Sequence, residues 1–368
     1  MLIFAGVVIA LAGLVFLLTR DRMAKYDLPE GQRFGPANQQ AAEASAAALQ
    51  DINQRLRSAG KRHEKLSLKQ RAFSMRETMD AFFSSEETVS SFTDVDAGGV
   101  PAEWVMAPGS NSSRRLLYIH GGAFMAGSPR SHRVITSKLS EVTQCAVLSI
   151  DYRLMPENGR LAAVEDCRVA YQWLLQNGPQ GSDEDAPSVV FVAGDSAGGN
   201  LTLALLAWAR DTQLRTPDAA LALSPITDSR FASPSIRSNL ETDIMLKPLA
   251  ARFAWMPGFL ISLGGRFLAG HKASDPVVSP LLGDLSGLPP ILVLASDSEI
   301  LRDDGRRYVN KAVEAGTDAT LMLWDNVPHV WPIFYPHLPE AVEAFSQIGD
   351  FFKRQGYTPL LHPRPVVE

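Results

Sequence analysis

The chain is poor in the features that mark several classes of protein. It has only two cysteines in 368 residues, Cys145 and Cys167. A disulfide scaffold is therefore excluded, and two buried thiols are expected. There is no CxxC and no HExxH, so no metal-site motif is present. No basic stripe occurs, and the net charge is -5, which argues against a nucleic-acid partner. Internal repeats and long low-complexity tracts are absent. What remains is ordinary globular composition, with 46% hydrophobic and 20% charged residues. That suffices for one large α/β domain with added lid segments.

Residues 1–18 are an uncharged apolar run. As a helix they would extend roughly 27 Å, close to the thickness of a bilayer core. No basic residue precedes the run and no convincing cleavage site follows it. A single uncleaved transmembrane anchor over residues 1–19 is expected, with a signal peptide or a buried helix as alternatives. Arg20, Arg22 and Lys25 follow the run, so the positive-inside bias places the rest of the chain in the cytoplasm. Export is the alternative. Residues 20–40 carry Pro29, Gly31, Gly35 and Pro36 and read as a linker. Residues 41–90 have two helical stretches that suit surface helices or a cap over a site.

From residue 91 to about 357 the pattern changes. Short apolar runs at 104–106, 116–119, 146–150, 189–193, 221–223, 291–295 and 320–323 read as buried strands. Helical stretches at 162–176, 200–210, 303–315 and 339–353 separate several of them. This alternation implies an α/β fold, a mostly parallel central sheet with helices on both faces. Ligands bind such sheets at the carboxyl ends of the strands. Residues 241–274 interrupt the alternation with apolar material and read as a second lid segment.

Chemistry concentrates at those strand ends. Gly194-Asp195-Ser196-Ala197-Gly198 fits G-x-S-x-G between a buried strand and a helix, the setting of a nucleophile elbow. Ser196 is the candidate nucleophile. His120-Gly121-Gly122-Ala123 follows the strand 116–119. The amides of Gly121, Gly122, Ala123 and Ala197 form a candidate oxyanion hole. The base should follow both Ser196 and the strand 291–295. His329, His337 and His362 do so, and His329 alone sits in a loop just past a strand. His120 precedes Ser196 and reads as a loop brace. The acid should lie beyond strand 291–295. Asp303 and Asp304 suit the first turn of the next helix. Asp297 and Glu299 remain, and either could orient an imidazole.

Four segments carry a family likeness: His120–Phe124, Asp151–Glu157, Gly194–Asn200 and Asp275–Leu281. Together they resemble the hormone-sensitive lipase-like esterases of the α/β-hydrolase fold, over about residues 95–355. The resemblance implies carboxylic-ester hydrolysis through a Ser-His-acid triad, with no metal and no cofactor. It implies a small-molecule or lipid ester as substrate, and a cap built from the N-terminal helices and the 241–274 insertion. It also places Glu299 at the acid position, in the frame Glu299-Ile300-Leu301-Arg302-Asp303, where the family commonly has Asp. Glu299 lies 30 residues before His329, the family's interval, and Asp297 lies 32 before it. Ala123 stands where a third glycine is usual, a change that keeps the amide. Asp151 and Glu157 are implied to brace the loops. Competing expectations are an amidase or peptidase with the same triad, a non-catalytic small-molecule-binding protein on this fold, and a lipase working at the bilayer surface.

Overall fold

A computed structural model describes residues 21–61, 66–83, 88–181, 186–251, 254–256 and 271–355. Its nine strands are β1 (Gln32–Phe34), β2 (Ser91–Asp96), β3 (Pro101–Met106), β4 (Asn111–Ile119), β5 (Cys145–Ile150), β6 (Val189–Asp195), β7 (Ala219–Leu223), β8 (Ile291–Ser296) and β9 (Ala319–Trp324). They form one sheet in the order β1-β9-β8-β7-β6-β4-β5-β3-β2. From β1 through β5 in that order, neighbours run parallel, while β3 is antiparallel to both β5 and β2.

The apolar runs are buried because both faces of the sheet are covered. The covering helices are α3 (Arg133–Thr143), α4 (Arg160–Gln176), α5 (Ser196–Asp211), α6 (Arg302–Glu314) and α7 (Pro339–Arg354). Alternate side chains go to opposite faces, as a pleated strand requires. In β4, Leu116 and Tyr118 pack with Ile135 and Leu139 of α3 and with Phe345 and Phe352 of α7. Leu117 and Ile119 pack on the other face, with Ala163 and Leu174 of α4 and Leu201 and Leu205 of α5. Val293 and Ala295 of β8 meet Tyr308 and Val309 of α6. Cys145 and Cys167 are buried free thiols.

Two helices precede the central strands, α1 (Gln39–Lys61) and α2 (Leu68–Phe83). Three elements lack an obvious sequence signal. β2 lies at the sheet edge with Phe92 and Val95 half-buried and the rest exposed, so it has no apolar run. The helix α3 reads as polar, yet its serines and threonines are buried. The segment expected as a linker over 20–40 contains β1, which extends the sheet beside β9. Phe34 stacks on Trp324 with ring centroids 4.3 Å apart. Arg307, fully buried, donates to Asp21 (2.6 Å) and Asp27 (2.6 Å). These long-range bonds are invisible to local periodicity.

The expected membrane anchor needs correction. Residues 1–20 lie outside the described residues, and among the described ones no helix is long and apolar enough to cross a membrane. The longest, α1, has 23 residues but carries Glu43, Asp51, Arg55 and Arg57. Such a helix cannot lie in hydrocarbon without burying charge. The transmembrane helix is therefore removed from the fold assignment. The cytoplasmic and exported placements that depended on it are withdrawn with it. Of the 241–274 insertion, residues 241–251, 254–256 and 271–274 are described.

Arg307→Ala should leave Asp21 and Asp27 without their cation. The carboxylates are partly exposed, so the cost should be about 1–3 kcal/mol, below that of a fully buried pair. Urea unfolding followed by circular dichroism should show a lower midpoint at an unchanged slope.

Candidate active site

β6 ends at Asp195 and α5 starts at Ser196, with no loop between them. That junction forces Ser196 into a left-handed conformation, φ 52°. The residue is held there by its surroundings, at a cost of about 1–2 kcal/mol. Gly198 has to be glycine, because a Cβ would run into the carbonyl oxygens of Ile119 and His120 at the end of β4. The hydroxyl is thereby raised at the carboxyl edge of the sheet.

His329 follows β9 and Glu299 follows β8, and the three side chains meet. Ser196 Oγ lies 2.9 Å from His329 Nε2. His329 Nδ1 lies 2.5 Å from Glu299 Oε2. Glu299 Oε1 accepts the Ser296 amide at 2.8 Å. Glu299 has no exposed surface, and His329 is 3% exposed. With its proton on Nδ1, the ring donates to Glu299 and presents a lone pair to the serine hydroxyl. Burial disfavours charge on His329, but the hydrogen bond and charge of Glu299, with Asp243 and Asp195, outweigh it. The pKa is raised above the ordinary 6.5.

Asp297 points elsewhere. Its carboxylate pairs with Arg33 of β1 at 2.9 Å and accepts the Asn326 amide at 2.8 Å. It braces the loops after β8 and β9 and does not touch His329. Of the other histidines, His120 stacks on Tyr152 at 4.4 Å and donates through Nδ1 to the Gly121 carbonyl at 2.7 Å. Burial and the neighbouring His132 push its pKa down to about 3, so it stays neutral. His337 lies in the turn after Phe334, and His362 is outside the described residues.

The expected oxyanion set divides. The Gly121 amide donates to Asp195 Oδ1 at 2.9 Å. An N–H already spent on a carboxylate cannot serve an oxyanion, so Gly121 leaves the donor set. Among the described residues, no hydrogen bond uses the amides of Gly122 or Ala123. Both face the same cavity as Ser196. Ala197 is the second residue of α5, where amides lack intrahelical partners. Ala123 takes φ 56°, the region its commoner glycine counterpart would favour.

Asp195 is the main site residue that motif reading passed over, although it is the variable position of G-x-S-x-G. Its Oδ1 also accepts the Tyr118 hydroxyl at 2.6 Å, and its Oδ2 lies 3.5 Å from His132 Nε2. Burial opposes its charge, but His132 and Tyr118 outweigh that and hold its pKa below the usual value. It ties the nucleophile turn to the 120–123 loop. Arg76 of α2 acts similarly, donating to the Met125 and Met155 carbonyls and pairing with Glu157.

A cavity of about 510 Å³ opens at Ser196 and His329. Its walls come from α1, α2 and residues 244–251, and include Leu56, Met75, Met79, Phe83, Met245 and Leu249. It is an apolar chamber with its reactive groups at one end.

A family model described as the alpha/beta hydrolase fold matches residues 116–333. The chain belongs to this family. Within it, the hydrolase is similar to an acetyl-hydrolase of Streptomyces hygroscopicus, at 38% identity over 70% of this chain and 81% of the relative. It is 33% identical to the carboxylesterase/phospholipase LipF of Mycobacterium tuberculosis, over 71% of this chain and 68% of that one. A crystal structure of an esterase from the bacterial hormone-sensitive lipase family superposes with a TM-score of 0.72. That structure is 35% identical, and the match covers 84% of the hydrolase and 98% of that chain. The likeness to hormone-sensitive lipase-like esterases thus holds for the chain.

The Glu299 contact should be measurable on the ring itself. NMR titration of His329 should give a pKa above 6.5. Glu299→Gln removes the charge that favours imidazolium, so the pKa should fall. An unchanged value would separate the two groups.

Proposed function

We propose that this enzyme cleaves carboxylic esters with Ser196 as nucleophile, His329 as general base and acid, and Glu299 as the acid that orients the ring. Ester hydrolysis is the activity of its family relatives, and the chain is a serine hydrolase of that kind. The observation that carries the residue roles is the unbroken run of hydrogen bonds Ser196–His329–Glu299, whose first two members line an apolar cavity.

The reaction follows from that placement. Ser196 Oγ attacks the ester carbonyl as Nε2 of His329 takes its proton. The carbonyl oxygen becomes an oxyanion, stabilised by the amides of Gly122, Ala123 and Ala197. Each such donor is worth about 10²–10³ in rate. Imidazolium gives its proton to the departing alcohol, leaving Ser196 acylated. Water then enters, loses a proton to the same ring and attacks the acyl carbon. Ser196 leaves with that proton, and the acid is released. Glu299 orients the ring and stabilises the imidazolium in both steps. The apolar walls suit an uncharged acyl or alcohol chain, with α1, α2 and residues 244–251 serving as the cap.

Hydrolysis of p-nitrophenyl butyrate by purified variants tests the assignment. Ser196→Ala should lower kcat about 10⁴-fold or more with the fold intact. Glu299→Gln should cost far more than Asp297→Asn, which should lose about tenfold at most, as a bracing residue. Retained turnover in Ser196→Ala would refute the nucleophile. The reverse order of the two acid variants would move the acid role to Asp297.

A further inference from the structure

Glu299 sits in the short loop between β8 and α6, and such a loop does not by itself hold a side chain to a few tenths of an ångström. Besides the Arg33–Asp297–Asn326 brace, a segment before the loop restrains its main chain. Asn239 Nδ2 donates to two carbonyl oxygens of the loop, those of Asp297 (2.6 Å) and Glu299 (2.9 Å). Thr242 Oγ1 donates to the Ser298 carbonyl at 2.7 Å. Asp243 Oδ2 accepts the Ile300 amide at 2.9 Å. Residues 297 to 300 are thus each bonded from 239–243. That segment is a helical turn in its own right, with the amides of Thr242 and Asp243 both donating to the Asn239 carbonyl. The three side chains therefore keep a fixed mutual geometry.

Asp243 makes a second bond of a different kind. Its Oδ1 accepts the Leu246 amide at 2.8 Å. Leu246, with Ile244, Met245 and Leu249, lines the cavity above Ser196. Asp243 is 3% exposed, and no step of ester cleavage uses it. A carboxyl group so buried is costly unless its bonds matter to the fold around it. Here the bonds join the wall that meets the substrate to the loop that carries the triad acid.

We propose that the 239–243 turn is a clamp on the acid loop: Asn239 is a positioning residue for Glu299, and Asp243 couples the Leu246 wall of the cavity to the same loop. The proposal rests on Glu299 being the triad acid. It predicts a division of kinetic effects. Asn239 Nδ2 donates to the loop and not to the cavity wall, so its loss changes kcat. Asp243 reaches both loop and wall, so its loss changes KM as well. The carboxyl groups that bear on the His329 ring are Glu299, Asp243 and Asp195. Loosening Glu299 weakens its support of the imidazolium, so the His329 pKa falls and the acid limb of kcat/KM moves to lower pH.

The test compares Asn239→Ala, Asp243→Asn and Glu299→Gln in the full chain, with p-nitrophenyl butyrate across pH 5–9 and a thermal melt of each protein. Asn239→Ala should lower kcat about 10–100-fold, the scale of an ångström's misplacement, with KM within about twofold and the acid limb moved down. Asn239→Ser, which keeps a donor, should recover part of the loss. Asp243→Asn should lower kcat and raise KM. An Asn239→Ala enzyme with wild-type kcat and pH profile overturns the clamp. So does a loss that merely follows the unfolded fraction in the melt. An Asp243→Asn enzyme with unchanged KM overturns the coupling. If Asn239→Ala or Asp243→Asn does not fold, Asn239→Leu, which fills the space without a donor, and Asp243→Ser are read by the same criteria. Full activity in Glu299→Gln would overturn the acid assignment itself, whereas a dead Glu299→Gln beside an unaffected Asn239→Ala would overturn the clamp alone.

Discussion

A carboxylate with no exposed surface needs its oxygens met, and Glu299 has them met by the Ser296 amide and the His329 ring. That requirement organises the site. The ring meets Glu299 with Nδ1, which leaves Nε2 aimed at Ser196. The orientation of the base is thus a consequence of burying the acid. Everything that holds Glu299 in place, including the 239–243 turn and the Arg33–Asp297–Asn326 brace, acts on the nucleophile through this contact.

A second hub sits on the nucleophile's other side. Asp195 belongs to the elbow and accepts from Gly121 and Tyr118, so the turn that raises Ser196 also sets the loop that bears Gly122 and Ala123. Asn200, one turn into α5, donates to the carbonyls of Ile226 and Val278 and accepts from Arg160. Arg160 lies over the Phe124 ring at 3.4 Å. The segments 120–124, 194–200 and 275–281 are therefore joined by direct contact, which gives their joint occurrence a structural cause. The sheet brings the loops to one edge, and these buried polar groups fix them there. The helices α1 and α2 and residues 244–251 wall an apolar chamber, and Arg76 and Asp243 bond this wall to the base of the site.

Much of this was legible because it is local. The strands around 116–119, 146–150, 189–193 and 291–295 are continuous apolar runs, and the elbow is a contiguous motif. Ser196 and His329 could be nominated from motif and order, whereas only the family resemblance favoured Glu299 over Asp297. What local reading missed depends on distant partners. β1 has only three residues and exists because β9 offers an open edge and Trp324 offers a stacking face. Gly121 looked like an oxyanion donor until its amide was seen to serve Asp195, 74 residues away. Asn239, Thr242 and Asp243 form no recognisable motif, because their partners are main-chain groups of another loop. The apolar run at 1–18 suggested a membrane span, a reading not sustained among the described residues.

The central claim is that Ser196 is made nucleophilic by His329, itself oriented by Glu299. Covalent trapping tests it most directly. The full chain is treated with a fluorophosphonate, weighed intact and mapped by peptide mass spectrometry. One phosphonyl group should be found per chain, on Ser196, with labelling far slower in His329→Ala. No adduct, an adduct on another residue, or equal labelling without His329 would contradict the account.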